Sequence, residues 1–331
     1  MRIPLIHSVI KATWYRVAFF VMLSLTITGC HDDSRQYALI TNQLADNVSV
    51  IDVNSGKEIK KISVGKRPAG IAISPAAKLA FVSNPDGPTI SVIDLQTLEE
   101  LRQIPVGAGP VGIVADRHGK RVYVADWYEH HISVLNPESG EIRQTITVGK
   151  SPAGMVLDEA HDRLYVANRD DNAVAFVDLK SGQVVRSIPV GKSPFGMAMT
   201  PDGRYVYAVN VQSSNVSVID TEAGKVVSVI PVGDWPYCAA VSPDGQKLYV
   251  TNQDDSSLSI IDVKTHQVTQ TVDVEDTPEG VDTSADGSLI YVVNWGSGSV
   301  SVIDAVTETL LETIKTDTGS RAFGEFITTL D

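Results

Sequence analysis

The chain has 331 residues, 43% hydrophobic and 20% charged, which is apolar material for one large core or two smaller ones. Aromatic residues make up only 6%, so Val, Ile and Ala must fill most of that core. The formal charge of −13 repels phosphate backbones and excludes nucleic acid as the default partner.

Residues 1–29 read as a leader. Arg2, Lys11 and Arg16 precede or enter the apolar run "VAFFVMLSLTIT", which is too short to cross a bilayer but fits the core of a signal peptide. The run leads into "ITGC", residues 27–30, which resembles the bacterial lipobox, whose cysteine becomes the lipidated first residue of the mature protein. An ordinary signal peptide ending near a cysteine is the alternative. The resemblance implies lipidation of Cys30 and a membrane partner through that lipid. His31 stands where an Asp would retain an enteric lipoprotein at the inner membrane, which implies an outer-membrane address, with the domain facing the periplasm or, alternatively, the cell surface. Residues 30–36 then form a short tether that keeps the domain close to the membrane. With Cys30 lipidated, Cys238 has no intramolecular partner, and a disulfide framework is excluded.

Residues 37–331 are one repeat. Asn42, Asn84, Asp126, Asn168, Asn210, Asn252 and Asn294 recur every 42 residues, and Pro68, Pro110, Pro152, Pro194, Pro236 and Pro278 keep the same spacing. A period of this length with short β runs predicts propeller blades. Each unit offers four strands, as in "KLYVTN", "SLSIID", "QVTQTVDV" and the Gly/Ala-rich segment after each Pro. The small residues suit the innermost strand, where blades crowd the axis. "SPDG" and "TPDG" supply turn residues, and the Asp closing each "VID" suits an Asx turn. The expected fold is all-β, a seven-bladed propeller of four-stranded blades. It opens on a second strand, "YALITN", and ends on "RAFGEFITTL", which aligns with the innermost strands. The N- and C-terminal strands therefore pair and close the ring, leaving no long free edge.

These lines resemble the YVTN β-propeller repeat family. "YVTN" stands at residues 249–252 and "VSVID" at 48–52, 216–220 and 300–304. The resemblance covers residues 37–330; it implies the fold and says little of function.

Two loop sets reach one face: the loop entering the innermost strand, and the loop between the second and third strands. The repeat exposes the blades that depart from the template there. Arg67, Phe195, Trp235, Tyr237, Cys238, Glu279 and Arg321 do so in the first set. Trp127, Tyr128, His130, His131, Arg169 and Trp295 do so in the second. Every Trp beyond the leader lies in these loops. Exposed aromatics beside Arg typify binding hot spots, although loop aromatics also pack as lids over neighbouring blades. The expected ligand- or partner-binding residues are Trp127, Tyr128, Phe195, Trp235, Tyr237, Trp295, Arg67 and Arg321.

Chemistry is sparse. No His spacing matches a zinc signature, and His130 and His131, adjacent at the start of a strand, are expected to point opposite ways. The acidic residues Asp254, Asp255, Asp273, Glu275, Asp276 and Glu279 read as a solvated edge, with calcium as the alternative. There is no nucleophile elbow or nucleotide loop, and Cys238 reads as a small buried hydrophobe without a base. No metal, cofactor or catalytic residue is expected. The leading reading is a membrane-tethered, extracytoplasmic, non-catalytic binding or scaffold protein, taking a protein or small ligand on its loop face. The family resemblance adds two alternatives. One is an accessory to a periplasmic redox enzyme or its cofactor, of the quinone or d1-haem type. The other is a lactonase-like hydrolase using Glu279, Arg67 and Arg321.

Overall fold

The computed structural model describes residues 35–330. The leader, Cys30 and residues 31–34 of the expected tether lie outside the described residues. Seven four-stranded antiparallel sheets follow one another along the chain. Blade 1 holds strands Arg35–Asn42, Asn47–Asp52 and Lys57–Ser63, and blades 2 to 7 span residues 71–105, 110–147, 152–189, 194–231, 236–273 and 278–315. The innermost strand of blade 1 is Ile327–Leu330, which pairs with Arg35–Asn42, the second strand counted from the axis, so that Arg35 faces Leu330 and Ala38 faces Ile327. Ring closure is therefore as the repeat predicts, with pairing that begins at Arg35 rather than Tyr37.

In each blade the two middle strands are buried on both faces and the outermost strand is largely exposed, so that apolar side chains fill the seams between sheets. Tyr123, Tyr165, Tyr207 and Tyr291, equivalent in the repeat, are almost fully buried there. The recurring Asn holds the loop between second and third strands. Asn42 Nδ2 donates to Asn47 Oδ1 at 2.7 Å and Ser49 Oγ at 2.8 Å. Asn84, Asn210, Asn252 and Asn294 make the matching pairs of bonds. The Asp that closes the third strand, replaced by Asn136 in blade 3, caps the following turn, as where Asp52 Oδ1 accepts from Ser55 N at 2.7 Å.

Crowding at the axis explains the glycines of the innermost strands. A Cβ on Gly112 would lie 1.8 Å from the carbonyl oxygen of Ala153 in the next blade. The equivalent distances are 2.3 Å from Gly154 to Phe195 O and 2.4 Å from Gly196 to Tyr237 O. Cys238 and Ala322 carry a side chain at this position, and beside each a threonine bridges two blades, as Ser83 does beside Gly70. Thr251 Oγ1 accepts from Cys238 N at 3.0 Å and donates to Glu279 O at 2.9 Å. Thr41 Oγ1 bridges Ala322 N and Ala69 O in the same way, both at 2.8 Å.

Candidate functional site

Two rings of equivalent residues build a pocket on the loop face. The residue after each Pro, and after Ser320 at the same 42-residue spacing, gives Ala69, Val111, Ala153, Phe195, Tyr237, Glu279 and Arg321. The residue after each Asn or Asp126 gives Gln43, Pro85, Trp127, Arg169, Val211, Gln253 and Trp295. Members of the first ring form the floor and members of the second the wall of a cavity of about 420 Å³. Six of the eight expected binding residues line it: Trp127, Tyr128, Phe195, Trp235, Tyr237 and Arg321.

The floor is packed. Phe195 stacks on Tyr237 with ring centroids 4.3 Å apart and meets Phe323 edge-on at 5.5 Å. Arg321 donates to the Tyr237 hydroxyl and lies over both Tyr237 and Phe323. Its charge is met by Glu279, with Arg321 Nε 2.7 Å from Glu279 Oε2. Gln253 Nε2 donates to Glu279 Oε1 at 3.0 Å. Burial pushes the Glu279 carboxyl above its usual range, against the pull of Arg321 and the Gln253 bond. Phe195 and Tyr237 are thus floor rather than projecting anchors.

The lip is open. Tyr128 is 70% exposed and Trp235 45%. Trp235 also sits in the left-handed region, at φ 50°, where its sister blades place Arg67, Ser151, Ser193 and Thr277. A bulky side chain gains nothing in the fold from that conformation. Trp127 lies 6.3 Å from Phe195, with the Arg169 guanidinium 5.7 Å from its ring centre.

Two expected residues fall outside the pocket. Arg67 is exposed on the rim, its Nε 3.4 Å from Asp86. Trp295 is half-buried and donates from Nε1 to Gln43 Oε1 at 3.1 Å, so it braces a wall residue. Gln43, Arg169 and Gln253 line the pocket and are absent from the expected set. Their signal was the column after the recurring Asn, read down all seven blades.

Beyond Phe195 a second cavity of about 640 Å³ runs along the innermost strands. Its walls are mainly Ile, Val, Ala and Met, with Asp282, Glu325 and Cys238 among them. Burial, and then the charge of Glu325, push Asp282 up to about 7. Asp282 Oδ2 accepts from the backbone N–H groups of Phe326 and Ile327 at 2.8 and 2.9 Å, which ties blade 7 to the closing strand. Cys238 is free and buried, and burial pushes its thiol well above the usual range. Cys238 packs in the hydrophobic cluster that includes Phe195, Val281 and Phe323.

His130 and His131 do not line the loop-face pocket; His130 Nδ1 accepts from Ser151 N at 3.2 Å. Among the described residues, one group of three metal-ligand types comes together: Asp126, Glu129 and His131, with ligand atoms within 4.8 Å of one another. The acids from Asp254 to Glu279 form no such group.

Solved structures share the fold. A Kuenenia stuttgartiensis hydrazine synthase chain matches with TM-score 0.69 and 22% identity, covering 76% of this chain and 87% of its own. A protein of unknown function from Desulfotomaculum acetoxidans DSM 771 matches with TM-score 0.75 and 12% identity, over 87% and 99% of the two chains. The dihydro-haem d1 dehydrogenase NirN, in complex with DHE, matches with TM-score 0.66 and 16% identity, over 84% of this chain and 63% of NirN. This chain thus spans less than two thirds of NirN. A search of curated protein sequences finds no match. The model of the YNCE-like β-propeller family matches residues 75–163 and 197–288, more than half of the chain. The chain therefore belongs to the YNCE-like β-propeller family.

Proposed function

We propose that this propeller is an extracytoplasmic binding protein, held at the membrane by a lipid on Cys30, which takes a small ligand or a protein segment in its loop-face pocket. The observation that carries the reading is the convergence of Trp127, Tyr128 and Trp235 on one cavity, with two of the three more than a third exposed. Large aromatic surface left in water at a pocket lip is what binding hot spots offer a partner. A photo-crosslinking residue at Tyr128 tests it in the native membrane, with Val306, 86% exposed in a turn of the opposite face, as control. The expected result is a crosslinked species from position 128 that is lost with Trp127→Ala or Trp235→Ala. Equal products from 128 and 306 would sink the reading.

A redox-accessory role is the second reading. Hydrazine synthase and NirN carry propellers of this fold. Aromatic walls suit a planar molecule, and Arg169 and Arg321, although paired with Asp170 and Glu279, lie on the same cavity. Among the described residues no histidine lines this pocket to ligate a haem iron. A visible absorption band in the purified protein, reduced by Trp127→Ala, would favour this reading. A hydrolase has less support, because Glu279 and Arg321 neutralise each other and Arg67 faces Asp86.

A further inference from the structure

We propose that blade 3 carries a binding site for a divalent first-row transition ion, formed by Asp126, Glu129 and His131. The repeat supplies six internal controls. At position 126 the other blades all have Asn, and at position 131 they have Asn47, Thr89, Ala173, Asn215, Ser257 and Ser299. Blade 3 thus replaces the amide by a carboxylate and the small neutral residue by an imidazole, together.

The replacement cannot be serving the template's purpose. The Asn donates from Nδ2 to the residues five and seven positions on, and a carboxylate has nothing to donate. Instead a carboxyl group only 2% exposed stands at the mouth of the loop, and among the described residues no Lys or Arg pairs with it. Glu129 also departs from its equivalents. Asp171 Oδ2 and Asp255 Oδ2 each accept a backbone N–H, from Lys150 at 2.8 Å and Asp234 at 2.6 Å. The Glu129 carboxylate has no such bond; its Oε2 lies 3.7 Å from His131 Nδ1.

The atoms not needed for a metal are already held. Asp126 Oδ1 accepts from the N–H groups of Tyr128 and Glu129 at 3.0 and 2.9 Å. Oδ2 keeps one long bond, 3.3 Å from Gly109 N. His131 Nε2 lies 3.2 Å from Ser133 Oγ. If Nε2 donates there, the Nδ1 lone pair faces the two carboxylates, as outer-sphere partners arrange for ligating histidines. Gly107 leaves the space open: a Cβ there would lie 1.9 Å from Asp126 Oδ2 and 3.5 Å from Glu129 Oε2. Ligand atoms of a tetrahedral ion sit roughly 3.3–3.6 Å apart for bonds of about 2.0–2.2 Å. The ligand atoms lie within 4.8 Å of one another, and Glu129, whose side chain is 55% exposed, has room to rotate toward the other two. One imidazole with two carboxylates favours Zn²⁺ or a neighbouring ion over Ca²⁺, and three protein ligands leave a position open to solvent.

The test uses the full-length protein, stripped with chelator and titrated with Zn²⁺ by calorimetry, with Co²⁺ as a spectroscopic probe and Ca²⁺ as the counter-probe. Asp126→Asn and His131→Ser restore residues that sister blades carry, so both variants should fold, which circular dichroism checks. The expected result is one Zn²⁺ per chain, Co²⁺ d–d bands, and at least tenfold weaker binding in each variant. Ser133→Ala should weaken binding tenfold or more while leaving all three ligands in place. Wild-type protein that takes up neither ion overturns the proposal, leaving a plain Glu129–His131 contact. Binding that survives both variants unchanged places the ion elsewhere and overturns it equally.

Discussion

The spacing of the innermost strands makes a paired prediction. In Gly112→Ala the new Cβ would lie 1.8 Å from Ala153 O, well inside a contact distance of about 3.2 Å. The obstructing atom is backbone, so relief requires blades 3 and 4 to move apart by more than 1 Å. Overpacking costs about 1–3 kcal/mol when side chains can yield; without that relief about 3 kcal/mol or more is expected. At roughly 2–4 °C per kcal/mol for a large domain, the melting temperature falls by about 6–12 °C. Cys238→Ala keeps a Cβ at the equivalent position, which Thr251 already accommodates, and removes only the sulfur. Its expected cost is about 1 kcal/mol. Urea denaturation of both variants, followed by tyrosine and tryptophan fluorescence, reads the difference. Equal losses in the two variants, or a Gly112→Ala protein as stable as wild type, would refute the spacing argument.

The closing strand should behave as a lock. Phe326 is fully buried against the first strands, so Phe326→Ala should cost about 3–5 kcal/mol in urea denaturation, and a loss below about 1 kcal/mol would contradict closure at this point. The pH dependence follows from Asp282, held up to about 7. A folded value above the unfolded one gives a contribution that is complete below the ordinary carboxylate range and lost as pH rises through about 7. The urea midpoint should therefore fall between about pH 5 and 8, and Asp282→Asn should flatten that slope. Glu279 and Glu325 are raised in the same sense and contribute what slope remains. Cys238 should resist thiol reagents in the native protein and react once urea unfolds it; native labelling at the unfolded rate would show that the thiol is not buried.

The blade framework is legible because identical physics recurs in every unit. An Asn that bridges a loop, a Pro that enters the innermost strand and a Gly that lets blades touch are each required again and again, and selection writes them at fixed spacing. The pocket was legible only in part. Trp127, Trp235 and Tyr237 stand out by size, but Arg67 and Trp295 stand out equally and point elsewhere. Their directions depend on Asp86 and Gln43, neighbours that no blade template specifies. Gln43 and Gln253 escape notice because a glutamine in a loop is ordinary; only their shared column marks them. The blade 3 cluster escapes for another reason. A search for paired histidines passes over Asp126, Glu129 and His131, whose spacing brings them together only because the loop folds back between two strands.

The floor of the pocket is where the repeat is least obeyed, and that departure can be tested for purpose. Ala69, Val111 and Ala153 show what the fold needs after each Pro: a small apolar residue. Four blades in succession place Phe195, Tyr237, Glu279 and Arg321 there instead. The last two form an ion pair with side chains only 8% and 18% exposed. Removing two charges from water costs several kcal/mol, and the pair's attraction does little more than repay it. Glu279→Gln leaves Arg321 uncompensated and should cost about 3 kcal/mol or more. Replacing both together, Glu279→Leu with Arg321→Met, removes the penalty with the pair and should return stability to within about 1 kcal/mol of wild type. Capture through Tyr128 should nonetheless fall in the double variant, because Arg321 no longer faces the cavity or fixes Tyr237. A double variant as unstable as the single one would make the pair a structural element of the ring. One that is stable and still captures its partner would remove Arg321 from the site. Stability recovered with capture lost is the signature of a charge kept for what it binds.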